Sequence, residues 1–198
     1  MTTSPRVPET LAALREATGP AHEAIDRQLQ LGADLTLDRY VRILQGFEGF
    51  LSAWEPAVAA VLPPEQRAWF SGRSRLAFVR QDLAALAPGG TPGPAPVLPP
   101  LPNRSAAFGS LYVLEGSALG GQVIARRAAE RFGFDGQRGA AYFHGFGDRT
   151  GALWREFRER LEAEVDPDHR GDACAAAVGT FDALRQHFDA VLNDEPVV

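Results

Sequence analysis

Apolar positions recur at helical spacing along most of this chain. Leu11, Leu14, Thr18, Ile25 and Leu29 trace one stripe and predict a first helix over 8–29. Thr36 reads as the cap of a second helix, although Arg39 rather than a glutamate stands at the third position, so the capping box is incomplete. Tyr40, Ile43, Leu44, Phe47, Phe50, Leu51 and Trp54 carry that helix to about 61. Pro63-Pro64 interrupts the chain, and a third helix is predicted over 65–86. Residues 87–103 hold seven prolines, which excludes a helix or a central strand there. A glycine-rich helix follows over 104–133, then a loop of glycines and aromatics over 134–147, then helices over 148–165 and 170–193. Strand patterns are nearly missing. The expectation is an all-α, multi-helix bundle of six or so helices in a single domain over 1–198, with 87–103 as an internal connection and 1–7 and 194–198 as flexible ends.

The glycine-rich helix departs most from ordinary helix composition. Gly109, Gly116 and Gly120 are spaced seven and four apart, so at about 100° per residue they fall within roughly 40° of one another. Each interior glycine costs about 1 kcal/mol of helix stability relative to alanine. The stripped face makes room either for something flat and bulky or for a close helix neighbour. The doublet Gly120-Gly121 adds an expectation of a kink with exposed backbone.

Composition narrows the classes. No apolar run is long enough to cross a bilayer and the N-terminus has no apolar signal core, so the expectation is a soluble, cytoplasmic protein with no membrane partner. The net charge of −5 argues against nucleic acid. One cysteine, Cys174, excludes an internal disulfide and a cysteine-based metal cage. All 20 basic residues are arginines, so any side-chain cation that holds an anion here is a planar guanidinium fork.

His22 is the candidate for chemistry. Arg15 lies seven residues before it and shares its helix face at about 10 Å, and Asp26 lies one turn after it. It reads either as a satisfied histidine on an amphipathic helix or as an axial ligand to haem iron, with Asp26 to orient the ring and Arg15 at the distance of a propionate. Met1 is the one methionine, which removes methionine ligation, and Cys174 sits in a run of alanines that reads as packed helix. His144, His169 and His187 lack a comparable basic neighbour, and no second histidine or glutamate stands at di-iron spacing from His22.

Arg15-Glu-Ala-Thr-Gly-Pro-Ala-His22 together with Tyr112-Val-Leu-Glu-Gly-Ser-Ala-Leu-Gly-Gly-Gln-Val-Ile124 resembles the haem oxygenases, most closely their bacterial, bacteriophytochrome-associated branch. The likeness extends to the helix order, the Pro-rich connection, Gly145-Phe-Gly-Asp148 and Trp154-Arg-Glu-Phe-Arg-Glu-Arg160. It implies a haem-degrading monooxygenase with haem b as substrate and cofactor, dioxygen, and external electrons from a ferredoxin or an NAD(P)H-dependent reductase. The products would be biliverdin, carbon monoxide and iron, with a bacteriophytochrome as receiver of biliverdin. Haem would lie between the first helix and a kinked distal helix. By the same resemblance His22 is the proximal ligand, and Gly116, Ser117 and Gly120 form the catalytic distal face, with Gly121 beside them. Arg15 and Arg158 meet the propionates, with Arg155 as the competitor of Arg158. Two positions depart from the mammalian enzymes: Ser117 stands where they have an aspartate, and Gly19 where they have a second basic residue. Ser117 keeps open a second reading, a haem carrier or sensor of the same fold without turnover.

Overall fold

The computed structural model describes residues 8–32, 35–87 and 95–193. The expected flexible ends at 1–7 and 194–198, and the first part of the Pro-rich connection, lie outside the described residues. Eight α-helices occur among those described: α1 (Glu9–Leu29), α2 (Leu37–Val61), α3 (Pro64–Ser71), α4 (Leu76–Leu86), α5 (Arg104–Phe132), α6 (Ala141–His144), α7 (Thr150–Glu164) and α8 (Arg170–Asn193). An isolated bridge between Asp135 and Gly139 is the nearest approach to a strand within them.

The expected third helix is two helices. The chain breaks over 72–75, where Gly72, Arg73, Ser74 and Arg75 separate α3 from α4. Arg73 and Arg75 are both buried, 7% exposed each. In a helix, residues two apart point about 200° apart, so both could not turn inward together; the break lets them. The predicted loop over 134–147 contains the one-turn α6. The expected kink at Gly120-Gly121 does not interrupt α5, which runs unbroken through the doublet.

α8 is the central element. It packs most extensively on α5 and α1, and then on α2, while α6 and α7 lie against α5. The α5–α8 crossing is close because small residues meet there: Gly109 on α5 and Ala173 on α8. A buried polar chain ties three helices across it. Trp54 Nε1 donates to Ser110 Oγ at 2.8 Å, and Ser110 and Thr180 share a hydrogen bond of 2.7 Å. Thr180 also donates to Ala176 O at 2.7 Å, so no member of the chain is left unpaired.

α1 is held at its ends from elsewhere. Pro8 provides no side-chain cap, and the free N–H groups of Thr10 and Leu11 donate instead to Glu162 of α7, at 3.2 and 2.8 Å. At the other end Arg39 of α2 donates to Gln28 O and Leu29 O, at 2.7 and 3.3 Å. Between these anchors the helix passes through Gly19 and Pro20 to His22.

Candidate active site

A cavity of about 790 Å³ opens between α1 and α5. Its volume is in the range of small-molecule and cofactor sites. Ile25 and Leu29 form its α1 wall, Val113, Leu114 and Ile124 its α5 wall, and Phe47, Phe143, Phe181 and Leu184 fill in from the core.

His22 lies on the α1 side. Its imidazole is 60% exposed, with Nδ1 at 3.3 Å from Asp26 Oδ2 and the ring edge-on to Phe181. With its proton on Nδ1, facing the carboxylate, the ring presents the Nε2 lone pair as a ligand. The carboxylate nearest Nδ1 belongs to the residue one helical turn on.

The four glycines of α5 separate into two pairs. Gly116 and Gly120 line the cavity. A Cβ on Gly120 would meet nothing within 4 Å, and one on Gly116 would touch only the Trp154 ring, at 3.7 Å. Gly109 and Gly121 lie outside the lining. A Cβ on Gly109 would stand 1.9 Å from Ala173 O, and one on Gly121 2.8 Å from Phe143 O. Both alternatives left open by the spacing therefore occur on one helix: a cradle at 116 and 120, and close backbone approaches at 109 and 121. Gly121, expected at the cofactor, is instead packed against α6.

Ser117 also lines the cavity, and its hydroxyl is occupied within the protein. It accepts from Arg75 Nη2 at 2.8 Å and donates to Leu114 O at 2.8 Å. Arg75 donates again to Leu114 O, at 2.7 Å, and lies over the Tyr142 ring at 4.9 Å. Tyr142 is buried against the cavity, and its hydroxyl, closed off from solvent, has no partner among the described residues. Burial raises its pKa, so the phenol stays neutral and keeps a proton to donate.

The expected arginines divide as well. Arg15 lines the cavity two turns before His22, as do Tyr112 and Trp154 of α5 and α7. Arg155 and Arg158 do not line it; Trp154, one turn before Arg158, takes that place, and Arg158 Nε is buried without a partner among the described residues. At the far end Arg27 and Arg127 contribute, and Arg127 donates to Leu31 O at 2.8 Å. Arg75, Tyr112, Arg127 and Tyr142 were not found from the sequence. Arg127 was legible in principle, because it continues the Gly109, Gly116, Gly120 face one further step of seven.

This set suits a flat apolar ligand with a metal centre and an anionic rim. The imidazole offers its lone pair into the cavity, the opposite wall is bare backbone where a Cβ would otherwise stand, and guanidinium groups stand at the edges. No cluster of metal-ligating side chains occurs elsewhere among the described residues.

The chain is similar to known haem oxygenases in both sequence and structure. The Heme oxygenase family model matches residues 100–190. A protein named heme oxygenase from Xanthomonas campestris pv. campestris (strain 8004) is 34% identical over 183 residues, covering 92% of this chain and 98% of the relative. The crystal structure of the NO- and CO-bound heme oxygenase from Neisseria meningitidis superposes with a TM-score of 0.74 over 96% of this chain and 94% of that one. At 22% identity that likeness speaks for the fold, all-α in both. On the relative that it matches over nearly its whole length, the chain belongs to the haem oxygenase family.

Proposed function

We propose that this chain opens haem oxidatively to biliverdin, carbon monoxide and iron, with haem held between α1 and α5. The observation that carries the reading is the pairing of His22 with the bare backbone of Gly116 and Gly120 across one cavity of about 790 Å³. Haem supplies the redox chemistry when dioxygen and external electrons reach it. What remains for the protein is seating, orientation, exclusion of bulk water and placement of protons.

His22 would hold the haem iron through Nε2, with the Asp26 carboxylate beside Nδ1 to orient the ring. Gly116 and Gly120 keep the opposite face clear, so that dioxygen has room and meets no oxidisable side chain. Arg75 locks the Ser117 hydroxyl against Leu114 O, which fixes the polar surface of that face. Arg15, lining the cavity with Tyr112, holds the propionate edge. Arg158, which does not line the cavity, seats the propionates less directly than Arg15. The whole of 1–198 acts as one domain, since a shared apolar core draws on α1, α2, α5, α7 and α8. A ferredoxin or an NAD(P)H-dependent reductase supplies electrons, and a bacteriophytochrome takes the biliverdin; the Leu-Glu-Gly-Ser run of α5 supports this branch of the family.

The test is optical. Haem added to the protein should give a Soret complex, and reductant with oxygen should convert it to a biliverdin spectrum. His22→Ala should lose the native axial spectrum and the conversion, with partial rescue by added imidazole. A stable Soret complex that never yields biliverdin identifies a carrier or sensor instead. Unchanged turnover in His22→Ala overturns the ligand assignment.

A further inference from the structure

We propose that Glu55 supplies protons to the Ser117 face of the haem cavity through water held in a second, inner cavity gated by Arg75. The proposal rests on the haem-cleaving function above, a reaction that consumes protons on that face.

The inner cavity lies behind α5. Glu55, Arg73, Arg75, Glu115 and Thr150 give it a polar lining. Its volume is about 20 Å³, and an ordered water needs roughly 10–15 Å³ and two to four polar partners. Arg75, Leu114 and Trp154 line both cavities, so the wall between them is one side chain thick. Arg75 is a permanent cation and cannot relay a proton itself. It can order the waters on its two sides.

The source of the proton follows from the groups around these cavities. Ser117 has both hydrogen-bonding roles filled, so its proton is committed to Leu114 O. Three carboxyls line the two cavities. Asp26 belongs to the His22 side. Both oxygens of Glu115 are taken up by a two-pronged contact with Arg73, at 2.8 Å each. Glu55 is the third. It accepts from Ser74 Oγ at 2.9 and 2.8 Å and from the Arg75 backbone N–H. Burial raises its pKa and outweighs the opposing pull of these hydrogen bonds and of Arg75 and Arg80. The charged and titratable groups facing it are Arg75 from the 72–75 break, Arg80 from α4 and Tyr142 from α6, with Arg73 and Glu115 across the inner cavity.

The transfer involves O–H bonds alone. The Glu55 carboxyl gives its proton to the inner water, which passes one of its own to a water ordered by Arg75 on the Ser117 side, and that water gives up a proton in turn where the reaction consumes one. The carboxylate left behind is stabilised by Ser74 and Arg75 until solvent returns a proton, so no redox partner enters.

Glu55→Gln keeps the size and hydrogen bonding and removes the acid. In the haem-free protein, infrared titration should show a neutral-carboxyl band that persists above the ordinary carboxylate range in the parent and is missing in Glu55→Gln. In the loaded protein, Glu55→Gln should slow biliverdin formation at least about tenfold near neutral pH, because a positioned acid contributes roughly 10²–10⁴-fold and water replaces part of it. Haem affinity and helix content should be unchanged, and Glu55→Asp should recover part of the rate and restore a pH-dependent limb. A parent and a variant with the same infrared titration, or with the same turnover and pH profile, overturn the proposal. A parent that binds haem without cleaving it overturns the functional reading first, and the two failures are told apart by that control.

Discussion

At the scale of single residues, the four glycines of α5 are alike in composition and opposite in consequence. Gly109 and Gly120 both sit inside the helix, and both would gain intrinsic propensity as alanine, by up to about 1 kcal/mol. Gly109 has no room to do so, since its Cβ would lie within bonding range of the Ala173 carbonyl, a backbone group that cannot swing away. Gly109→Ala is therefore expected to lose at least about 3 kcal/mol, at or above the upper end of typical overpacking costs, and to part α5 from α8. Gly120→Ala should fold as well as the parent or better. Gly120→Leu should also fold, yet bind haem poorly, because the added side chain enters the cavity. Urea midpoints with haem titrations distinguish these cases; a Gly109→Ala protein of parental stability would contradict the crossing described above.

At the scale of elements, the sequence was legible where periodicity is long and regular. The stripe of α1, the Thr36 cap of α2, with its hydroxyl accepting from Arg39 N–H at 3.2 Å, and the extent of α5 all follow from side-chain spacing. The break between α3 and α4 did not, because Arg73 and Arg75 look like solvated residues when read alone. Their burial is decided by partners distant in sequence: Glu115 and Glu156 for Arg73, Ser117 and Tyr142 for Arg75. Helical spacing put Arg15 on the face of His22 and Gly116 on that of Gly120, Ser117 came in only by the family resemblance, and all five line the cavity. Arg158, expected at the propionates, does not line the cavity, whereas Trp154 one turn earlier does. The contact between α2 and α8 has its own chemical marker. His187 is buried on α8, 2.9 Å from Gly46 O, and burial lowers its pKa. The unfolded chain then takes up a proton near the ordinary histidine value of 6.5 while the folded one does not, so this contribution is complete above that pH and is lost as pH falls below it. Between about pH 7.5 and about pH 5.5 the parent should lose more stability than His187→Gln, by chemical denaturation at each pH. Equal losses would mean that the histidine is charged in the fold.

At the scale of the whole molecule, four of the 20 arginines of an acidic protein line its cavity. Arg15 lies at one end, Arg27 and Arg127 at the other, and Arg75 within. The net charge of −5 thus describes the exterior and says little about the field an anionic ligand meets. The arrangement of α1 carries this further. Glu162 and Arg39 grip its two ends, neither lines the cavity, and α8 backs the helix between them, so the wall bearing His22 is a beam fixed at both supports and along one side, with its weakest step at Gly19-Pro20. A beam of that kind yields at mid-span, which gives the slot a way to open without separating from α7 or α2. Its stiffness then sets the height of the barrier through which ligand passes in either direction, and leaves the depth of the bound well to the residues inside. Glu162→Gln, which spoils one of the two carboxylate contacts, should quicken haem uptake and haem release together, by similar factors, with the dissociation constant nearly unchanged in stopped-flow measurements. A change in release alone would place the support's influence in the bound state rather than in the passage.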